Sequence, residues 1–273
     1  MKTIILFLLA LSLGLESCGK HVTGSKNIVE KEIRTESFSA IASVGSFDIF
    51  YTQRPGAPSV KVITSDNVID ILEIYVKDGT LHIGVKPGYG LSAKKLEVHI
   101  GSDMLSGINL TGSGDAKLLG NIRVSELKLA VTGSGDIEGS NLECQQLNLS
   151  VTGSGDMDLG QVSSNFLAAE VAGSGELQIK QLDADEARFN IAGSGEIEVK
   201  GTAQKAHYSI AGSGEIDAEQ LQANYVEAST AGSGEITCYA TDFLKARTSG
   251  SGDISYKGNP QLDVSQRGIH PIR

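Results

Sequence analysis

The chain has no tryptophan, and aromatic residues make up 5% of its 273 positions. Deep sugar-binding clefts and tight protein interfaces lean on aromatic anchors, so this scarcity argues against a deep carbohydrate cleft. Positive charge is also short: 23 Lys and Arg stand against 33 Asp and Glu, a formal net charge of −10. No basic stripe exists to neutralise phosphates, which excludes a nucleic-acid partner. The Gly-x-Ser-x-Gly elbow, the phosphate loop and the dinucleotide fingerprint are all missing, and no cofactor is implied. The five histidines (His21, His82, His99, His207 and His270) lack metal-ligand spacing. His82 and His99 fall in neighbouring strand-like runs and read as a surface pair. Beyond the first residues no apolar stretch is long enough for a helix, and no helical period appears.

Glycine, by contrast, is abundant and ordered. Gly-Ser-Gly followed by Asp or Glu begins at Gly112, Gly133, Gly153, Gly173, Gly193, Gly212, Gly232 and Gly250. The steps are 21, 20, 20, 20, 19, 20 and 18 residues. Self-similarity at such a period marks a stacked repeat. Alternation flanks each copy, as in Leu127-x-Leu129-x-Val131 before one and Ile137-x-Gly139 after it. A period of two means strands with one buried face. A further apolar position follows in several repeats, at Leu142, Val162, Leu182 and Leu221. Each repeat therefore reads as two short strands and a third, looser side.

These features predict an all-β chain: a parallel β-solenoid of about 20-residue coils with an irregular β N-terminal part. Coils paired at strand spacing make a rod on the order of 40 Å long. Both glycines of each motif are expected to supply backbone angles that other residues resist, at a corner every coil repeats. Val131, Val151, Val171, Ile191 and Ile210 should form one internal ladder. Lys128, Ser150, Glu170, Asn190, Ser209 and Ser229 should point outward. Cys144 and Cys238 lie more than four coils apart, roughly 20 Å. A disulfide needs Cα atoms within about 7 Å, so both are expected as small buried residues.

Residues 1–17 read as an export signal, with Lys2 ahead of an apolar core from Ile4 to Leu15 that is too short to span a membrane permanently. Leu15-Glu16-Ser17-Cys18 resembles the lipobox of bacterial lipoproteins, with Glu16 where the pattern has a small residue. Cys18 is the expected lipidation site and would hold the chain to a membrane. Residues 18–37 are expected as a polar tether. The domain then spans 38–257, with an irregular part at 38–104 and the regular solenoid at 105–257. Residues 258–273 read as a worn final coil, with Gly268 standing 18 residues after Gly250. The irregular part is expected to hold strands at Val44–Thr52, Ser59–Ile63, Ile71–Lys77, Thr80–Lys86 and Leu96–Ile100. Asp78-Gly79 is a strong hairpin signal, and Gly45-Ser46-Phe47-Asp48 looks like a degenerate copy of the repeat.

Phe38-Ser39-Ala40-Ile41, then Gly45 to Gln53, then Asp78-Gly79-Thr80-Leu81, then the repeated Gly-Ser-Gly-Asp/Glu together resemble one known family. It is the putative auto-transporter adhesin head GIN domain family (DUF2807), common among Bacteroidetes envelope lipoproteins. The resemblance covers roughly residues 38–257. It implies a right-handed β-helix-like fold and an adhesin role, and carries no catalytic residues onto this chain. The chain departs from the family at Gln266-Arg267-Gly268, where another Gly-Ser-Gly would stand.

The acid after each motif forms a row: Asp115, Asp136, Asp156, Glu176, Glu196, Glu215, Glu235 and Asp253. Like charges one strand spacing apart repel by about 1 kcal/mol per pair in water. As a calcium edge the row would offer hard oxygen ligands, but one carboxylate per coil is sparse and calcium β-rolls repeat every nine residues. A solvated turn is the preferred reading. β-helix enzymes that degrade polysaccharides cluster carboxylates locally, whereas these recur identically. The chain is therefore read as a non-enzymatic, lipid-anchored outer-membrane protein of the cell envelope, an adhesin for an unknown envelope or extracellular ligand. The alternatives are a periplasmic structural or stress-associated scaffold and, remotely, a polysaccharide-degrading enzyme. Gly19, Lys20 and His21 lack the acidic run that often accompanies surface export in Bacteroidetes lipoproteins.

Overall fold

The computed structural model describes residues 19–265 and 267–272. The export signal and Cys18 lie outside the described residues. From Gly107 onward the chain winds into a parallel β-solenoid. Ile137–Gly153, Met157–Gly173, Glu176–Gly193, Glu196–Gly212, Glu215–Gly232 and Glu235–Gly250 are successive coils. Each pairs in parallel with the next.

Every coil has three sides. In the coil that starts at Ile137 they are residues 137–139, 141–144 and 146–153. Ser140 and Gln145 drop out of the pairing at two corners, and Gly153-Ser154-Gly155 makes the third. The sequence alternation decides which side chains enter. Ile137, Met157, Leu177, Ile197, Ile216, Ile236 and Ile254 stack in one buried column. Leu142, Val162 and Leu182 form a second, where Gly201 then interrupts before Leu221. Val131, Val151, Val171, Ile191 and Ile210 form the expected ladder, all buried, and Thr230 extends it. Burying such columns is the main stabilising term of the rod, at about 25 cal/mol per Å² of apolar surface. Cys144 and Cys238 are buried and free, on different sides of the rod. Burial pushes the Cys238 thiol up to about 12, which keeps it protonated and inert.

The outward row needs one correction. Lys128 pairs with Asn148, and Ala130 is the residue that pairs with Ser150. The row is therefore Ala130, Ser150, Glu170, Asn190, Ser209 and Ser229, continuing to Arg247.

The N-terminal part continues the same stack in a different order. Ala40–Gly45 and Asp48–Gln53 form a coil joined at Ser46 and Phe47, a corner that breaks the single strand expected over Val44–Thr52. This coil pairs in parallel with Gly107–Gly112 and Ala116–Arg123 on one side. On its other side it pairs with Thr80–Val85 and Leu96–Ser102. So the chain makes one coil, steps outward, and returns past its own start. The outer end is closed by antiparallel strands. Leu72–Lys77 pairs with Thr80–Val85 through the expected Asp78-Gly79 turn, both residues at positive φ (51° and 74°). Ser59–Ser65 pairs with Leu96–Ser102, and Ile28–Ile33 covers Ser59–Ser65. The expected tether is thus structured in large part. Lys20–Thr23 pairs with Tyr89–Ser92, and residues 28–33 form the outermost strand. At the far end, Gln261–Val264 and Ile269–Pro271 add a partial last coil.

Candidate functional site

The glycine corner is built differently from the sequence expectation. Only the first glycine of each motif takes positive φ, from 118° at Gly250 to 141° at Gly212. The second glycines are absent from the positive-φ set. Their reason is space: a Cβ on Gly135 would overlap the carbonyl of Gly114, and one on Gly195 would press into Val171 Cγ1. The first glycines meet both demands, because a Cβ on Gly153 would overlap the carbonyl oxygen of Gly133. Across this corner the Ser154 N–H donates to Gly133 O (2.9 Å), and the same bond recurs at Ser134, Ser174, Ser194, Ser213, Ser233 and Ser251. The hydroxyls of this serine stack face solvent.

The acid row splits into two classes. The Asp136 N–H donates to Asp115 Oδ1 (3.0 Å), Asp156 N–H to Asp136 Oδ1 (2.9 Å) and Glu176 N–H to Asp156 Oδ1 (3.0 Å). Asp48 stands one coil before Asp115, near its backbone N–H. Once Glu takes the position, its longer side chain leaves the corner. The next N–H turns to backbone instead: Glu196 to Gly175 O, Glu215 to Gly195 O and Glu235 to Gly214 O, each 3.1 Å. Asp253, which follows a Glu coil, donates to Gly234 O at 3.2 Å. An Asp carboxyl can reach a nearby backbone N–H that a Glu cannot, and the bond changes where the row passes from Asp156 to Glu176.

Electrostatically the row is strained. Burial first, then the charges of Glu176 and Glu215, raise the Glu196 carboxyl above its usual range. Burial, then the charge of Asp115, does the same to Asp48. Among the described residues, no group of three or more His, Cys, Asp or Glu is placed to hold a metal ion. His82 and His99 are not brought together. His82 stacks on Tyr75 (5.0 Å between ring centres) and His99 on Phe50 (4.7 Å).

The broadest side of the rod carries four outward rows. The row beside the corner is small and exposed: Thr111, Thr132, Thr152, then mostly alanine from Ala172 to Ala231. Farther from the corner, charges pair. Arg188 meets Glu186 within its own coil (2.6 Å), while Lys245 meets Glu227 (2.5 Å) and Arg247 meets Asp263 (2.6 Å) across coils. His207 lies between Glu227 (3.5 Å) and Glu186 (3.9 Å). The outermost row holds aromatics that alternation alone does not single out. Phe166 lies under the Arg188 guanidinium (5.3 Å), and Tyr225, 52% exposed, is paired with Phe243 on the next coil. This arrangement offers a flat, largely polar contact surface with a few aromatic footholds.

A family model described as "Putative auto-transporter adhesin, head GIN domain" matches residues 37–199 and 160–260. Among the solved structures that resemble the chain are three for which 93% of this chain and 100% of the other are covered. The first, described as a putative lipid binding protein from Parabacteroides distasonis, is 32% identical with a TM-score of 0.74. A putative adhesin from Parabacteroides merdae is 25% identical with a TM-score of 0.72. A putative adhesin from Parabacteroides distasonis is 26% identical with a TM-score of 0.69. No curated protein matches the chain.

Proposed function

The chain belongs to the DUF2807 family of auto-transporter adhesin head GIN domains, and from that membership we propose a non-enzymatic, adhesin-like binding module of the cell envelope. A lipid on Cys18 would hold it to the outer membrane. The family and its adhesin relatives support the adhesin-like role. The observation that carries the reading is the broad side of the rod. It is flat and repeats coil by coil, with Tyr225 exposed beside a half-buried Phe243. Such a surface suits weak contacts that gain strength by repetition. The non-enzymatic part rests on the acid row, where Asp115, Asp136 and Asp156 each hold the next coil's backbone. Carboxylates committed to a repeated corner serve the fold.

The test is protease shaving of intact cells with a lysed control, read by an antibody against the chain. Loss of the signal from intact cells is the expected result. Protection until lysis would sink the adhesin role and favour a periplasmic scaffold, a reading that Gly19, Lys20 and His21 support by lacking an acidic run. Labelling with a radioactive fatty acid, lost in Cys18→Ala, tests the anchor.

A further inference from the structure

A cleft of about 660 Å³ opens where the antiparallel end of the rod meets the parallel stack. That volume lies in the range of small-molecule sites, about 300–1,000 Å³. The chain builds it by crossing from the outermost strand, Ile28–Ile33, back to the buried Phe38. Arg34 and Thr35 begin that crossing and form one wall. The floor is the outer surface of the sheet, where Phe50 and Leu119 present apolar side chains and Leu119 is 44% exposed. Arg54 lines the cleft beside Ser59, next to Val60, which pairs with Ile33 just before Arg34. Arg54 lies over Gly101, where any Cβ would overlap its guanidinium, and it donates to Ser59 Oγ.

The charge of this cleft opposes that of the molecule. The chain is net −10, yet Arg34, Arg54, Lys61 and His99 line the cleft against one acid, Glu32. Lys61 has Glu30 at 3.1 Å and His99 has Glu97 at 3.2 Å. Among the described residues, Arg34 and Arg54 have no carboxylate within ion-pair reach, unlike Arg123, Arg188 and Arg247. In the same wall the Thr35 hydroxyl is buried with no hydrogen-bond partner. Buried polar atoms are nearly always satisfied, so an orphan calls for an explanation.

We propose that this cleft binds a single-chain amphiphile with an anionic head, the head held by Arg34 and Arg54 and the chain lying on Phe50 and Leu119. A planar guanidinium matches a carboxylate or a phosphate with two hydrogen bonds. The apolar floor takes the alkyl chain, which is drawn out of water on binding. This binding does not depend on which side of the membrane the rod faces, so the shaving result leaves it standing.

Calorimetric titration of the purified chain tests it with four probes below their aggregation limits. Decanoate and decyl phosphate should bind saturably, which covers a free fatty acid and a phosphate-headed lipid. Decanol should bind at least about tenfold more weakly, because it lacks the charge that the arginines complement. Inorganic phosphate should not bind, because it lacks the chain. Arg54→Gln and Arg34→Gln should each weaken decanoate about tenfold, with the melting temperature unchanged. Leu119→Glu, at an exposed position that tolerates change, should weaken it by a similar factor. No saturable heat with decanoate, equal binding of decanol, binding of phosphate alone, or unaltered affinity in all three variants would each overturn the proposal.

Discussion

Asp136 and Glu196 hold the same place in their coils, yet they do different work. Asp136 accepts the next coil's N–H at 2.9 Å, whereas beyond Glu196 that N–H goes to Gly195 O. Asp136→Ala should therefore cost about 1 kcal/mol, the net worth of an ordinary hydrogen bond. Asp136→Asn keeps the oxygen acceptor and removes one charge from the row, so it should melt at or slightly above the parent. Chemical denaturation of the two variants side by side checks this, and equal losses would refute the bonding role. The sequence shows three Asp coils and then four Glu coils openly. Their meaning was hidden because both residues are acidic and turn-tolerant, and only the geometry separates a side-chain corner bond from a backbone one. A second residue was invisible for the opposite reason. Tyr208 falls on an inward position and reads as plain core, yet its hydroxyl is fully buried, without a partner, next to Phe189 and Cys238.

The repeating element is the corner plus three sides, and its period was legible because every coil turns at one glycine. Gly153 combines φ of 121° with a Cβ path blocked by Gly133 O. Gly120 has φ of 79° with nothing within 4 Å of its Cβ path. Gly153→Val should destabilise the rod by several kcal/mol, because strain and overlap add. Gly120→Ala should cost only about 1 kcal/mol, the strain alone. Similar losses in both would show that stacking room is irrelevant. What the pattern could not show is that the second glycine answers to space, since a sequence does not reveal which carbonyl stands above it. The acid row also acts at this scale. The folded state raises the Glu196 carboxyl above the usual range of 4.5, by burial and then by Glu176 and Glu215. A raised carboxyl is stabilising when protonated, so stability falls as pH climbs from 4.5 through the raised value. Glu196→Gln should therefore raise the melting temperature at pH 7. The gain should disappear near pH 3, where both states hold the proton, and shrink as salt is added. A gain that persists at pH 3 would locate the effect in packing.

For the whole molecule the question is how the ends of an open stack are closed. The 20-residue pattern leads through the regular coils but stops at the N-terminal part, because chain order and stacking order differ there. Residues 40–53 lie between residues 80–102 and residues 107–123 in the stack. No local pattern announces such a return. In sequence the strand Ile28–Ile33 looks like a tether: its six residues, with Glu30, Lys31 and Glu32 in the middle, look solvated. Their backbone decides the matter by pairing with the whole of residues 60–65. The inner strand, Ser59–Ser65, buries Val60 and Val62, pairs on one edge with Leu96–Ser102 and gives its other edge to Ile28–Ile33. With Ile28–Ile33 in place, the edge shown to solvent carries alternating charge, which resists further pairing. Removing residues 19–33 should leave the coils folded, since each is held by its two neighbours, but it should uncover an apolar β edge. The shortened chain should keep its far-ultraviolet dichroism while forming dimers and larger species in light scattering, increasingly so at higher protein concentration. A strictly monomeric shortened chain would mean that this strand decorates the end of the rod and that closure is achieved by Leu72–Lys77 on the adjoining side.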